Sequence, residues 1–268
     1  EGACAVPLET MEACCEAGKP VVVFDRINPL GGQRVDGTLL NEKFSSYVGM
    51  YAMPTQYGMT VGEYALWCKD HLHLDTLKLT VVPLSGWNRG DDLSRVNMPW
   101  VAPSPNCTGF QTAFAYAGGC IFEGTNVSEG RGTCMPFEYI GAPWIDAVEL
   151  EKQMAKRPLP GLHFRATYFT PSFSKHAGQL CQGVQMHVTD NQTARPILGA
   201  LCLLDEIRIL YPDKLEFNHN LEGSTTIDLI LGTDEYRLGV YDGPGLLKAH
   251  EARVEAFRQA RKPYLLYD

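Results

Sequence analysis

The densest run of chemically capable side chains is Phe122-Glu123-Gly124-Thr125-Asn126-Val127-Ser128-Glu129-Gly130-Arg131-Gly132-Thr133. Its glycines let the backbone turn tightly against a ligand, and its alternating Glu and Arg side chains could supply an acid/base pair and an anion clamp. The plain alternative is a solvated hairpin whose Glu and Arg pair with each other. A second polar stretch, Asp25 to Gly37, carries Asp25, Arg26, Asn28 and Asp36 directly after the apolar run Val21-Val22-Val23-Phe24. The carboxyl end of a parallel strand is where open α/β sheets hold ligands. A third stretch, Tyr168 to Gly178, sets Lys175-His176 among aromatics. Such a pair can bind a carboxylate, and aromatic faces pack against the C–H groups of a sugar, although a Lys-His pair at a strand-end turn also reads simply as surface.

Other chemistries find no footing. Gly31-Gly32 belongs to no phosphate loop or dinucleotide fingerprint, no G-x-S-x-G elbow is present, and His71 and His73 lack the i, i+4 spacing of a zinc helix. Nine scattered cysteines form no C-x-x-C pair and read as buried thiols rather than a disulfide framework or zinc site. No metal and no cofactor are expected. The formal net charge of −8 argues against nucleic acid as a partner, so an anionic ligand needs a local basic cluster within an acidic whole. The longest apolar runs fall far short of the roughly 20 residues of a spanning helix.

The elements that must position these residues follow from the apolar pattern. A helix with Leu8, Met11 and Cys15 on one face ends at Gly18 and precedes the strand Val21 to Phe24. Helix then buried strand is the second half of a βαβ unit, so the chain is expected to open inside an α/β domain, with an unpaired edge and an uncovered apolar face on that sheet. Thr60-Val61-Gly62-Glu63 is a capping box opening a helix to about Leu72, followed by a strand near Leu77 to Leu84. Prolines and glycines break regular structure from about 83 to 107. Beyond it come predicted strands near 119–123, 137–141, 163–169 and 183–189, and helices near 145–156, 196–210 and 246–260, the second opened by Pro196. The expected fold is therefore α/β: an N-terminal part over 1–105 and a mixed α+β part over 106–268.

One family unites these motifs. Phe24-Asp25-Arg26 with Asn28-Pro29-Leu30-Gly31-Gly32, Val48-Gly49-Met50-Tyr51, Tyr57-Gly58-Met59-Thr60, Pro99-Trp100-Val101 and Phe122 to Thr133 follow in order. Gly141-Ala142-Pro143-Trp144, Phe169-Thr170-Pro171, Gly183-Val184-Gln185 and Tyr264-Leu265-Leu266-Tyr267 continue the series. The chain so resembles the exo-β-N-acetylmuramidase family, long catalogued as a domain of unknown function. The resemblance implies a Rossmann-like N-terminal domain (incomplete here), a smaller C-terminal domain and an active cleft between them. It implies release of N-acetylmuramic acid from the non-reducing end of peptidoglycan fragments, without a cofactor. A periplasmic or secreted location follows from the family, although no signal segment is visible before Glu9.

Two departures matter. The family's Pro-Glu-His-Gly segment, with a proposed catalytic glutamate, has no counterpart in these residues, and its Val-Glu-Gly-Pro reads here Val35-Asp36-Gly37-Thr38. The resulting assignment takes Asp36, Glu129 and Glu123 as catalytic carboxylates. Asp25, Arg26, Asn28, Asn126, Ser128, Arg131, Lys175 and His176 are taken as substrate-binding, with Arg131, Lys175 and His176 as the pocket for the lactyl carboxylate. The expected partners are muramyl saccharides derived from peptidoglycan. The competing readings are a catalytically incomplete relative that still binds muramyl sugars, and a sugar or nucleotide-sugar transferase, which would need a diphosphate-binding loop or a D-x-D motif.

Overall fold

The computed structural model describes residues 2–96 and 98–268, with side chains from residue 8 onward. Helix α1 (Gly2–Glu16) buries Leu8 and Met11, as their spacing predicts. Strand β1 (Val21–Phe24) follows. Next come two short strands that no apolar pattern announces, β2 (Asp36–Leu39) and β3 (Pro54–Gln56), which pair antiparallel with Asp36 opposite Gln56. Helix α2 (Val61–His71) begins in the expected capping box, Thr60 accepting from the Glu63 backbone and Glu63 from that of Thr60. It leads to β4 (Leu79–Val82), which pairs parallel with β1. On this two-stranded sheet Val22 and Phe24 are 53% and 73% exposed, so one face of it is apolar and open to solvent.

The segment read as a strand over 119–123 is helical. Helix α3 (Phe110–Gly119) runs directly into a 3-10 turn, Cys120–Gly124. The reason lies in Gly118 and Gly119, poor helix formers that weaken the helical signal of the run. In the fold they allow close approach, since a Cβ on Gly118 would overlap the Pro196 carbonyl and one on Gly119 the Phe137 carbonyl. Gly118→Ala is accordingly expected to destabilise the protein by about 1–3 kcal/mol despite alanine's better helix propensity, as read from a urea melt.

The remaining elements match the pattern closely. They are β5 (Tyr139–Ala142), α4 (Ala147–Met154), β6 (Leu162–Phe169), β7 (Cys181–Val188), α5 (Pro196–Leu210) and, after a short α6 (Thr226–Leu231) that the sequence pattern does not announce, α7 (Gly243–Ala260). The three strands form an antiparallel sheet in the order β5-β7-β6. Helix α5 is the centre of the larger core, with Leu201, Leu203, Leu204 and Ile207 buried around its circumference.

A second core gathers Leu8, Met11, Met59, Tyr64, Trp67 and Leu77 from the first third of the chain together with Val254 and Phe257 of α7. The last helix therefore returns to the first part of the fold, and the tail behind it is tied down there. Leu266 N–H donates to Glu63 Oε1 at 2.8 Å, and the Tyr267 hydroxyl donates to Asp25 Oδ2 at 2.6 Å.

Candidate functional site

The exits of β1, β2 and β3 converge on a cavity of about 410 Å³, closed on its other side by α3 and the end of α6. Its wall is rich in tyrosine and methionine, including Tyr47, Tyr51, Tyr57, Met53 and Met59, with Tyr116 entering from α3. Arg26 is exposed and is the only cation among the described residues lining it. No described partner engages its guanidinium; its backbone N–H donates to Asp25 Oδ1. Asn28 is positioned by its own turn, donating from Nδ2 to the Met59 carbonyl at 2.9 Å and accepting from Leu30 N–H at 3.0 Å. Thr38 donates to the Leu231 carbonyl at 2.5 Å and so ties β2 to α6 across the cavity wall.

Asp25 does not face this space. Its carboxylate is buried and accepts from Arg26 N–H, Gly62 N–H, the Thr60 hydroxyl and the Tyr267 hydroxyl. A carboxylate at the first turn of α2 meets unpaired N–H groups and the positive end of the helix. Burial first, and Asp25 second, push the Tyr267 phenol up to about 12. Asp25 thus anchors the β1 exit and aims the chain toward Arg26.

Asp36 lies at the start of β2, whose Thr38 lines the cavity, and opposite Gln56, which lines it from β3. Its carboxylate is 7% exposed and held in a two-point pair with Arg195, Nε to Oδ2 at 2.9 Å and Nη2 to Oδ1 at 2.7 Å. This hydrogen bond raises the Arg195 pKa above its ordinary value. Gly37 takes a left-handed φ of +100° that a side chain would strain, and its N–H caps Asp36 Oδ1 at 2.9 Å. Asp36 is not among the residues lining the 410 Å³ cavity; with Arg195 it lines a second cavity of about 550 Å³, together with Arg34, Lys248, Glu251 and Arg258.

The 123–133 loop forms a closed cluster. Lys175 Nζ donates to Glu129 Oε2 and to the Phe122 carbonyl, both at 2.8 Å, and to the Val127 carbonyl at 3.1 Å. Arg131 pairs with Glu123 through Nε at 3.0 Å and lies 3.4 Å from Glu129, which is 2% exposed. Asn126 donates to the Lys214 carbonyl and accepts from Glu216 N–H, the His176 ring meets the Asn126 carbonyl at 2.8 Å, and Ser128 accepts from Gly130 N–H. None of these residues lines either cavity. The loop's bonds run to residues 137–141, 172–176 and 214–218 rather than to the 25–37 stretch.

The structure thus divides the expected site in three: Arg26 and Asn28 at the cavity, Asp36 at the strand between two cavities, and a self-contained cluster around Glu129. Sequence reasoning missed Gln56 and the tyrosines at the cavity. The signal was present in the density of Tyr and Met from Tyr47 to Tyr64, quoted above only as part of the family motifs.

Comparison with known proteins follows the same geography. The family described as exo-beta-N-acetylmuramidase NamZ matches in two segments, its N-terminal model over residues 6–111 and its C-terminal model over residues 114–267. The peptidoglycan beta-N-acetylmuramidase NamZ of Bacillus subtilis (strain 168) is 40% identical over 260 residues, covering 96% of this chain. The chain spans 62% of that relative's length. Two crystal structures of DUF1343 family proteins from Bacteroides fragilis NCTC 9343 share the fold. The first has a TM-score of 0.89 at 30% identity, covering 96% of this chain and 69% of that one; the second has 0.75 at 27%, covering 99% and 71%. With both family segments matched in order along nearly its whole length, the chain belongs to the NamZ exo-β-N-acetylmuramidase family.

Proposed function

We propose that this protein acts in the hydrolysis of muramyl glycosides, releasing N-acetylmuramic acid from the non-reducing end of peptidoglycan fragments, and that the sugar occupies the 410 Å³ cavity. The observation that carries this reading is the unengaged guanidinium of Arg26 in a tyrosine-lined cavity of a protein with net charge −8. Muramic acid differs from glucosamine by a lactyl ether carboxylate, and a free arginine among aromatic planes meets both halves of such a ligand. Arg131 and Lys175, the cations expected for this task from sequence, already neutralise Glu123 and Glu129. Their cluster then braces the 120–124 turn, from which Cys120 reaches the cavity wall.

Asp36 is the proposed catalytic carboxylate of this chain, with the glycosidic bond placed at the β2–β3 edge of the cavity, where Asp36 pairs with the cavity-lining Gln56. The two-point hold of Arg195 fixes its orientation, which suits a nucleophile or a stabiliser of an oxocarbenium-like transition state. The matched ranges 6–111 and 114–267 support a two-part organisation over 1–105 and 106–268, with the cavity drawing residues from both. A second reading, a binding relative without turnover, is favoured by the ion pairs that occupy both Asp36 and Glu129.

Release of chromophore from a chromogenic β-N-acetylmuramide tests the first reading, and binding of N-acetylmuramic acid without release supports the second. A charged hydrogen bond contributes about 1.5–3 kcal/mol. Arg26→Ala is therefore expected to weaken N-acetylmuramic acid binding about ten- to hundredfold, while N-acetylglucosamine binding stays nearly unchanged. Equal loss for both sugars, by calorimetry, would remove Arg26 as the carboxylate partner.

A further inference from the structure

Asn28 and Thr38, the buried and half-buried polar side chains described so far at the cavity wall, are engaged within the protein. Gln56 is different. It lines the cavity from the end of β3, is 5% exposed, and neither Oε1 nor Nε2 has a hydrogen-bond partner among the described residues. Whichever way the amide is turned, one acceptor and two donor positions are unmet. Buried side-chain amides are nearly always satisfied, because burial without a partner forfeits their hydration. An unmet amide at the wall of a cavity is best explained by what the cavity takes in.

We infer that Gln56 is a specificity-determining residue that reads the acetamido group of the bound sugar. Nε2 donates to the acetamido carbonyl, the contact that N-deacetylation removes. The acetyl methyl then meets the apolar part of the same wall, where Met53, Met59 and Leu231 lie. A free amino group at that position would bring a second cation into a cavity whose described charged lining is Arg26, and would leave Nε2 without an acceptor. The inference rests on the reading of this cavity as the sugar site, and it assigns N-acetyl selectivity to a residue distinct from the one that meets the lactyl carboxylate.

Three measurements test it. In the ¹⁵N-labelled protein, the Gln56 side-chain amide signals, identified by their loss in Gln56→Met, are expected to shift with N-acetylmuramic acid and to stay in place with N-deacetylated muramic acid. Gln56→Met keeps the length of the side chain and removes its hydrogen bonds. It should weaken N-acetylmuramic acid about ten- to hundredfold and leave muramic acid unchanged. The same substitution should raise the melting temperature of the free protein by about 2–4 °C, because it deletes an unsatisfied polar group; a residue with a merely structural hydrogen-bonding role would lower it. Ala117→Phe, from α3 into the cavity, should abolish binding of both sugars. If Ala117→Phe leaves binding intact, the cavity is not the sugar site and the inference falls with that reading. If Ala117→Phe blocks binding but Gln56→Met affects both sugars equally or neither, the cavity reading stands and the role of Gln56 is overturned. If either variant fails to fold, the Gln56 amide signals, assigned instead by triple-resonance experiments on the doubly labelled unaltered protein, still decide the matter.

Discussion

Asp36→Asn is expected to lower turnover of a chromogenic β-N-acetylmuramide by at least about 10²-fold, with substrate affinity largely kept. The substitution preserves shape, so the Gly37 N–H and Arg195 can still find an oxygen on the side chain, while the negative charge at the transition state is lost. Its effect on folding should be smaller than that of breaking a fully buried pair, because Arg195 is 47% exposed at its side chain although Asp36 is nearly buried. Activity and stability therefore separate in this variant, which makes the result interpretable. Asp36→Asn with near-normal turnover, or a substrate-analogue complex that leaves Asp36 distant from the sugar, would end its candidacy.

The largest effect on stability is expected at Glu63, which touches no part of the cavity's ligand space. Glu63→Leu should cost about 3–5 kcal/mol, the range for breaking a buried ion pair by removing one partner. Glu63 is fully buried and pairs with Arg89, whose guanidinium also bonds to the Gly32 and Gly58 carbonyls. Arg261 stands in the same space, bonded to Gly32 and Tyr57; burial and then the charge of Arg89 push its pKa down to about 10. Removing Glu63 leaves two buried arginines without their counter-charge, opens the capping box of α2 and strands the Leu266 N–H. Urea denaturation measures the loss. A cost below about 1 kcal/mol would mean that water enters this site freely. Because Gly32 and Gly58 border the Arg26 to Tyr57 wall, a partial loss of order here should also blunt sugar binding, which distinguishes Glu63 from Asp36 in the same pair of assays.

Much of this protein is legible from its residues alone. Local signals decided α1, the capping box of α2, the Pro196 start of α5 and the three strands of the β5-β7-β6 sheet, because caps, prolines and apolar periods act within a few residues of where they are written. The order of motifs from Phe24 to Tyr267 decided the family for the same reason, being a property of sequence rather than of space. Tertiary structure decided the rest. DGTL and PTQ carry no strand pattern and become β2 and β3 only by pairing with each other, which is what brings Gln56 beside Asp36. Gly118 and Gly119 are poor helix formers, yet are the means by which α3 closes on Pro196 and Phe137. The loop of Glu123, Glu129 and Arg131 has the residue types of a catalytic site, but its charges are met by Lys175 and by one another, more than forty positions apart in the first case. Arg26 stays free because its neighbour Asp25 is taken up by α2 and by Tyr267 at the far end of the chain. Whether a charged or polar side chain serves the fold or a ligand depends on which partners reach it. Those partners are set by long-range packing, which residue type and spacing do not encode.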